Sequence, residues 1–183
     1  RIPIAPGIDT ERALGAWENA VGVIAAIPNI PVGLVSDPVD PLWGEQWDMK
    51  APIPMESNGG AANVADAWTA SAGNGVVVAV IDTGRTNHPD LFGAMPDGWG
   101  IDMVSFPYDG RDGNDRDMDP TDMGDACGGR PSTWHGTHVA GTIAAQANDV
   151  GVVGVAPGAI IEHVRALGVC GGSFYDVIDG IRW

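Results

Sequence analysis

Val76-Val77-Val78-Ala79-Val80-Ile81 is an unbroken apolar run that stops at Asp82. A half-buried strand alternates apolar with polar side chains, so a run without alternation fits a strand covered on both faces, as in a parallel sheet flanked by helices. Parallel neighbours need helical crossovers rather than tight turns, and the chain supplies helices at the right places. Residues 61–70 read as a helix with Asn63 as cap, Val64 and Trp68 one turn apart, and Gly73 and Gly75 ending it. His135 to Gln146 carries Ala140, Ile143 and Ala144 at helical spacing, and Ile160 to Ala166 reads as a second strand. Ser173 to Trp183 reads as a helix, because Ser173-x-x-Asp176 has the form of a capping box and Phe174, Val177, Ile178 and Ile181 share one stripe. Strand, helix, strand, helix implies an α/β sandwich.

Composition excludes several alternatives. Of 183 residues, 44% are hydrophobic and seven are Trp, enough apolar material for a packed core rather than a disordered chain. Nine basic against 24 acidic residues give a formal charge of −15, which repels a nucleic-acid backbone or an anionic bilayer; neither is expected as a partner. The longest apolar run near the start, Val21 to Ile27, is far shorter than the roughly 20 residues that cross a bilayer. A short helix is expected over Glu11 to Asn19, and Pro28, Pro31, Pro38 and Pro41 then mark a linker that neither helix nor central strand can traverse. The chain opens on Arg1 and closes on Trp183 inside an expected helix, so it is expected to be a piece of a longer protein. The two cysteines, Cys127 and Cys170, form no Cys-x-x-Cys pair; one long-range disulfide is the simpler expectation, two buried thiols the alternative.

Asp82 stands at the carboxyl end of the apolar run, where open parallel sheets place functional groups. Its Asp82-Thr83-Gly84 sequence also suits a turn cap, or the paired carboxylates of an aspartic peptidase; the latter needs a second such motif, and none occurs. His135-Gly136-Thr137-His138-Val139-Ala140-Gly141-Thr142 opens a helix, whose dipole opposes a positive charge in the first turn and so suits a neutral base at His135. Gly136 and Gly141 weaken that helix, which points to close approach of backbone or substrate at both. His135 and His138 are three apart, whereas the usual zinc helix spaces its histidines by four and adds a Glu. A satisfied core position is the expectation for His138.

Four segments in order, Val78-Ala79-Val80-Ile81-Asp82-Thr83-Gly84, His88-Pro89-Asp90-Leu91, His135 to Thr142, and Gly154-Val155-Ala156-Pro157, resemble the subtilisin-like family of serine peptidases. The resemblance runs from about Gln46 to Trp183. It implies a three-layer α/β sandwich with a central, mostly parallel sheet, here truncated, and a triad in the chain order Asp, His, Ser. By position Asp82 matches the acid, His135 the general base, and His138 a buried non-catalytic residue. None of Ser36, Ser57, Ser71, Ser105, Ser132 and Ser173 stands in the family's Gly-Thr-Ser-Met-Ala context, and its oxyanion-hole Asn segment is also missing. The 183-residue chain is therefore expected not to hydrolyse peptides by itself, although the protein from which it was cut should. In the same family the segment after the second strand edges the substrate cleft: Gly171, Gly172 and Ser173 would pair with an extended peptide as an added strand, and Tyr175 would wall a pocket.

The resemblance also implies a calcium site, with oxygen from Asp90, from the Asn148 side chain and from the Gln146, Val150 and Val152 carbonyls; hard cations prefer such sets. A further ligand is sought at Asp37 or Asp40. Residues 107–130 hold seven Asp and three Arg, a local charge of −4. Asp115-x-Asp117-x-Asp119 starts like an EF-hand, but Pro120 and Ala126 occupy its glycine and glutamate positions, which excludes one. A looser calcium site or a solvated loop with Arg pairs both remain open there. Residues 1–36 are expected to be a propeptide remnant and linker, and 37–183 the N-terminal portion of a secreted, calcium-stabilised peptidase domain acting on proteins or peptides, with its own propeptide as partner. The alternative is a non-catalytic, calcium-dependent extracellular binding module that keeps the fold without the nucleophile.

Overall fold

The apolar run forms strand β1, Val77–Asp82, and the second expected strand forms β3, Ile160–Arg165. They lie parallel, with Val77 opposite Ile160 and Asp82 opposite Arg165. A two-residue strand β2, Ile101–Asp102, joins the other side of β3, also parallel, with Asp102 opposite Arg165; nothing in the sequence announced it. The order β1-β3-β2 is that of a computed structural model describing residues 37–53 and 59–183. The expectations for residues 1–36 lie outside the described residues.

Neighbouring strand residues point to opposite faces, and the two faces of this sheet are covered by different helices. Helix α3, His135–Ala144, lays Ala140 and Ala144 against Val80 and Ile161. Both alanines are fully buried; small side chains let the helix sit close, and burial of a residue like Ile161 contributes about 1.5–3 kcal/mol. Helix α4, Phe174–Arg182, covers the other face, where Val177 meets a cluster of Met103, Val164, Ala166, Ile81 and Ile101. A Cβ on Gly180 would stand 2.6 Å from Val164 Cγ1, so glycine is what permits that approach. Helix, sheet, helix makes three layers. Beside them, Trp43, Met49, Val64, Trp68, Ala72 and Val153 form a second core that anchors the segment around residues 40–49. Helices α1, Val64–Ala67, and α2, Pro107–Gly110, are single turns.

The last carbonyls of a helix lack partners within it. In α3 they are met by the Gly154-Val155-Ala156 motif, whose amides donate in turn to Ala145, Thr142 and Ile143 oxygens at 2.8, 3.0 and 2.7 Å. A Cβ at Gly154 would stand 2.6 Å from the Ile143 oxygen, which explains the glycine.

Three expectations are corrected. Val76 and Val77 are 51% and 47% exposed, because β1 is the outer strand among the described residues, and burial deepens only at Val80. The helix expected over 61–70 is the four-residue α1; Asn63 precedes it at φ 55° and gives its side chain to Asp66 instead of capping. In α4, Ser173 does cap, accepting from the Tyr175 amide, but Phe174 and Ile181 are 77% and 68% exposed. The inner face belongs to Asp176, Val177 and Gly180, since the Asp176 carboxylate is drawn inward by Ser105 and Arg116.

Candidate active site

Asp82 ends β1 and is 8% exposed. Trp134, at φ 53°, turns the chain so that the next residue, His135, starts α3 over that strand end. His135 Nδ1 lies 2.9 and 2.8 Å from the two carboxylate oxygens of Asp82. A carboxylate oxygen accepts and does not donate, so Nδ1 carries the proton and Nε2 presents a lone pair. The acid side chain is mostly enclosed and the imidazole open, at 11% and 60% exposure. Gly136 makes the approach sterically feasible: a Cβ there would run into the Gly84 carbonyl oxygen. Gly141 differs, since a Cβ on it would meet nothing within 4 Å; close approach of backbone holds for the first glycine only.

His138 is exposed, not the buried core histidine expected from the sequence. On α3 the residues turned to the sheet are Gly136, Thr137, Ala140 and Ala144, and His138 falls on the opposite face. There it lines an open groove of about 630 Å³ with Trp134, Gly141 and Thr142.

The described serines have other partners. Ser105 Oγ donates to Asp176, Ser71 Oγ accepts the Gly73 amide, Ser173 caps α4, and Ser132 packs on Gly124. Among the described residues no serine is bonded to His135.

Gly171 and Gly172 are exposed beyond β3, on the strand end that faces the same way as Asp82. Gly171 exchanges both backbone hydrogen bonds with Gly168, which closes a tight turn, and the Ser173 carbonyl accepts the Val177 amide, which leaves Gly172 as the freer backbone unit. Tyr175 is 78% exposed, so it does not serve as packing. Cys127 and Cys170 are joined, with Cα atoms 4.9 Å apart.

At the turn His88-Pro89-Asp90-Leu91, the Asp90 side chain is buried and its Oδ2 accepts the Val152 amide at 3.0 Å. Asp40, 3% exposed, accepts the Asn148 amide through Oδ1 at 3.1 Å; Asp37 is exposed. One oxygen on each carboxylate, Asp90 Oδ1 and Asp40 Oδ2, is buried without a hydrogen-bond partner. Burial pushes the Asp90 carboxyl above its ordinary range, and the charge of Asp40 adds to that rise. Bare buried carboxylate oxygens are costly unless a donor or cation meets them. Gln146 lies beside this site, its amide on the Asp90 carbonyl, and the Asn148 Oδ1 accepts the Val150 amide at 3.0 Å. Carboxylate, side-chain amide and carbonyl oxygens are the donor types that hard cations prefer. Among the described residues no three His, Cys, Asp or Glu side chains cluster as a metal group, in the acidic loop or elsewhere.

A second charged centre escaped the sequence reading. Arg165, 1% exposed at the end of β3, donates to Asp102 at 2.5 Å and also to Asp112 and the Gly110 carbonyl. Burial pushes Asp102 up to about 6 despite the Val104 amide and the guanidinium. With Arg116 bridging to Asp176 and Asp179, each at 2.7 Å, the acidic loop is clasped to the sheet and to α4, while Arg111 donates within the loop to the Ala126 carbonyl. An Arg at the end of a buried strand that also carries His163 was the available signal.

The sequence profile of the subtilase family matches residues 73–183. The chain is 42% identical over 203 aligned positions to an extracellular protease of Xanthomonas campestris, covering all of this chain and 34% of that protein. It is 44% identical to an extracellular basic protease of Dichelobacter nodosus, over 80% of this chain and 25% of that one. Among solved structures it resembles a protease of Pseudoalteromonas arctica, with TM-score 0.71 and 43% identity over 81% of this chain and 44% of that chain. The chain thus spans about a third or less of the length of these two curated relatives. No helix among the described residues is long and apolar enough to cross a membrane. A parallel three-layer fold, an Asp and a His brought together at a strand end, and a profile match over most of the chain make this protein a member of the subtilase family.

Proposed function

We propose that this chain supplies the acid and the general base of a secreted, calcium-stabilised serine endopeptidase, whose nucleophile lies outside the 183 residues. The carrying observation is the contact of His135 Nδ1 with both carboxylate oxygens of Asp82. Asp82 holds the Nδ1 proton and thereby fixes the tautomer. Nε2 then takes the proton of a serine hydroxyl as its oxygen attacks the peptide carbonyl, and returns it to the leaving amine. Asp82 stabilises the imidazolium between those two events. By itself the chain binds and orients but does not cleave.

Gly172 and the Ser173 amide would offer backbone groups to an extended peptide, beside the exposed ring of Tyr175. Calcium would be held by Asp90, Asp40, Asn148 and the carbonyls of Gln146, Val150 and Val152; its role is to neutralise the two buried carboxylates and fix the turn after α3. Residues 1–36 are read as the propeptide tail. Secretion is supported by the extracellular relatives and by the disulfide.

Reading the coding sequence past Trp183 tests this. A downstream Gly-Thr-Ser-Met-Ala supports the peptidase; Ala or Gly at the serine position makes the protein a calcium-dependent binding module on the same fold.

A further inference from the structure

Thr83 and Gly136 each follow one member of the acid–base pair, and they are bonded to each other: the Gly136 amide donates to Thr83 Oγ1 at 3.0 Å. The hydroxyl proton of Thr83 goes elsewhere, to Asp122 Oδ2 at 2.7 Å. The Thr83 amide, in turn, donates to Asp82 Oδ1 at 2.7 Å. One residue thus touches the strand-end carboxylate, the first turn of α3 and the acidic loop.

A threonine hydroxyl is a rotor, and the direction of its proton decides where its lone pairs point. Asp122 settles that direction. It is 5% exposed, whereas the other loop carboxylates are exposed or half-buried, and its other oxygen accepts the Gly124 amide at 2.7 Å. Its own amide donates to the Arg85 carbonyl, and the Arg85 amide to the Pro120 carbonyl, so the loop is laid against the chain just past Asp82. With the proton drawn to Asp122, a lone pair of Thr83 is turned to Gly136.

We propose that Asp122 is a positioning residue for the acid–base pair: through Thr83 it holds the first turn of α3, and with it His135 Nδ1, against Asp82. The proposal rests on the reading of Asp82 and His135 as that pair. Displacing a reacting group by an ångström is enough to lower rates on the order of 100-fold, so the acidic loop, which by composition looks like a solvated charge run, contributes to the geometry of the site.

The test is imidazole nitrogen NMR on the 183-residue chain, which reads the His135 tautomer without requiring activity. Wild type should hold His135 chiefly as the Nδ1–H form. In Asp122→Ala and Thr83→Val the ratio of Nδ1–H to Nε2–H should fall about fivefold, the scale of one lost hydrogen bond, while Thr83→Ser keeps the wild-type ratio. Circular dichroism checks that each variant is folded. An unchanged ratio in folded Asp122→Ala or Thr83→Val overturns the proposal. Should Asp122→Ala not fold, the nearly isosteric Thr83→Val breaks the same relay and decides; unfolding of both, with Thr83→Ser folded, makes the relay a folding element only and also overturns it. A wild-type chain lacking the Nδ1–H form contradicts the acid–base pair itself, a result distinct from failure of the relay.

Discussion

Cys127 in the acidic loop is bonded to Cys170 at the tip of the turn that precedes Gly171 and Gly172. The loop and the proposed substrate edge are therefore covalently tied, and the same turn is also held by the Val169 amide on the Asp109 carbonyl. Closing a loop of 43 residues contributes about 4 kcal/mol through the unfolded state. Reduction, or Cys127→Ser with Cys170→Ser, should lower the urea midpoint correspondingly. An unchanged midpoint would show that the unfolded chain gains nothing from the cross-link.

Asp40 and Asp90 each bury one carboxylate oxygen without a partner. A cation bound only by the folded chain stabilises it by mass action, about 2.7 kcal/mol at a hundredfold excess over Kd. Chelation should lower the melting temperature of the calcium-loaded chain by roughly 5–10 °C. Calcium should restore it and magnesium should not, since magnesium demands tighter octahedral geometry. Asp90→Asn and Asp40→Asn should abolish the calcium-dependent part. Equal melting curves with and without calcium would contradict the site.

The two glycines of α3 should respond with opposite signs. Gly136→Ala forces a methyl group into the Gly84 carbonyl and should destabilise by about 1–3 kcal/mol. Gly141→Ala meets open space and should stabilise by about 0.5–1 kcal/mol through helix propensity. Chemical denaturation of the two variants checks both. Equal effects would mean that steric room at α3 does not govern them.

How far the sequence reached is clearest on α3 and α4. The β-branched run from Val76 located a strand, and the spacing of Ala140, Ile143 and Ala144 located a helix, because helical periodicity reports burial against a layer. Asp82 and His135 were legible from ordered motifs, and 53 residues of separation could not hide a pair whose neighbours carry the pattern. Asp122 was not legible, since its role comes from which carboxylate folds inward and a run of aspartates looks alike along the chain; the Arg165–Asp102 pair depends on a two-residue strand that the sequence did not announce. The α4 stripe misled for the same reason: with Asp176 paired inward, Val177 still meets the sheet but Phe174 and Ile181 are turned to the outside. His138 failed because a helix's buried face depends on what covers it.

His163 offers a pH test. It is 1% exposed, with Nε2–H facing Met95 Sδ at 3.1 Å and Nδ1 unpartnered, and burial pulls it down from 6.5 to about 4. Between those values the unfolded chain binds the proton and the folded chain does not, so this residue's contribution, intact above pH 6.5, is lost as pH falls toward 4. Asp102, raised to about 6, acts with opposite sign, favouring the folded chain at low pH and losing that as pH rises through 6. The two offset each other in the wild type, so the test is the difference from His163→Gln. Wild type minus variant stability should fall by at most about 3 kcal/mol between pH 6.5 and 4. A difference independent of pH would contradict a neutral buried His163.

The central claim is that His135, oriented by Asp82, performs proton transfer for a serine proposed to lie in the longer protein. Steady-state hydrolysis of a peptide by that longer protein, wild type against His135→Ala and His138→Ala, addresses it most directly. The account predicts a loss in kcat on the order of 10⁴-fold or more for His135→Ala with the fold intact, and a far smaller loss for the exposed His138. Near-wild-type turnover by a folded His135→Ala protein would contradict it.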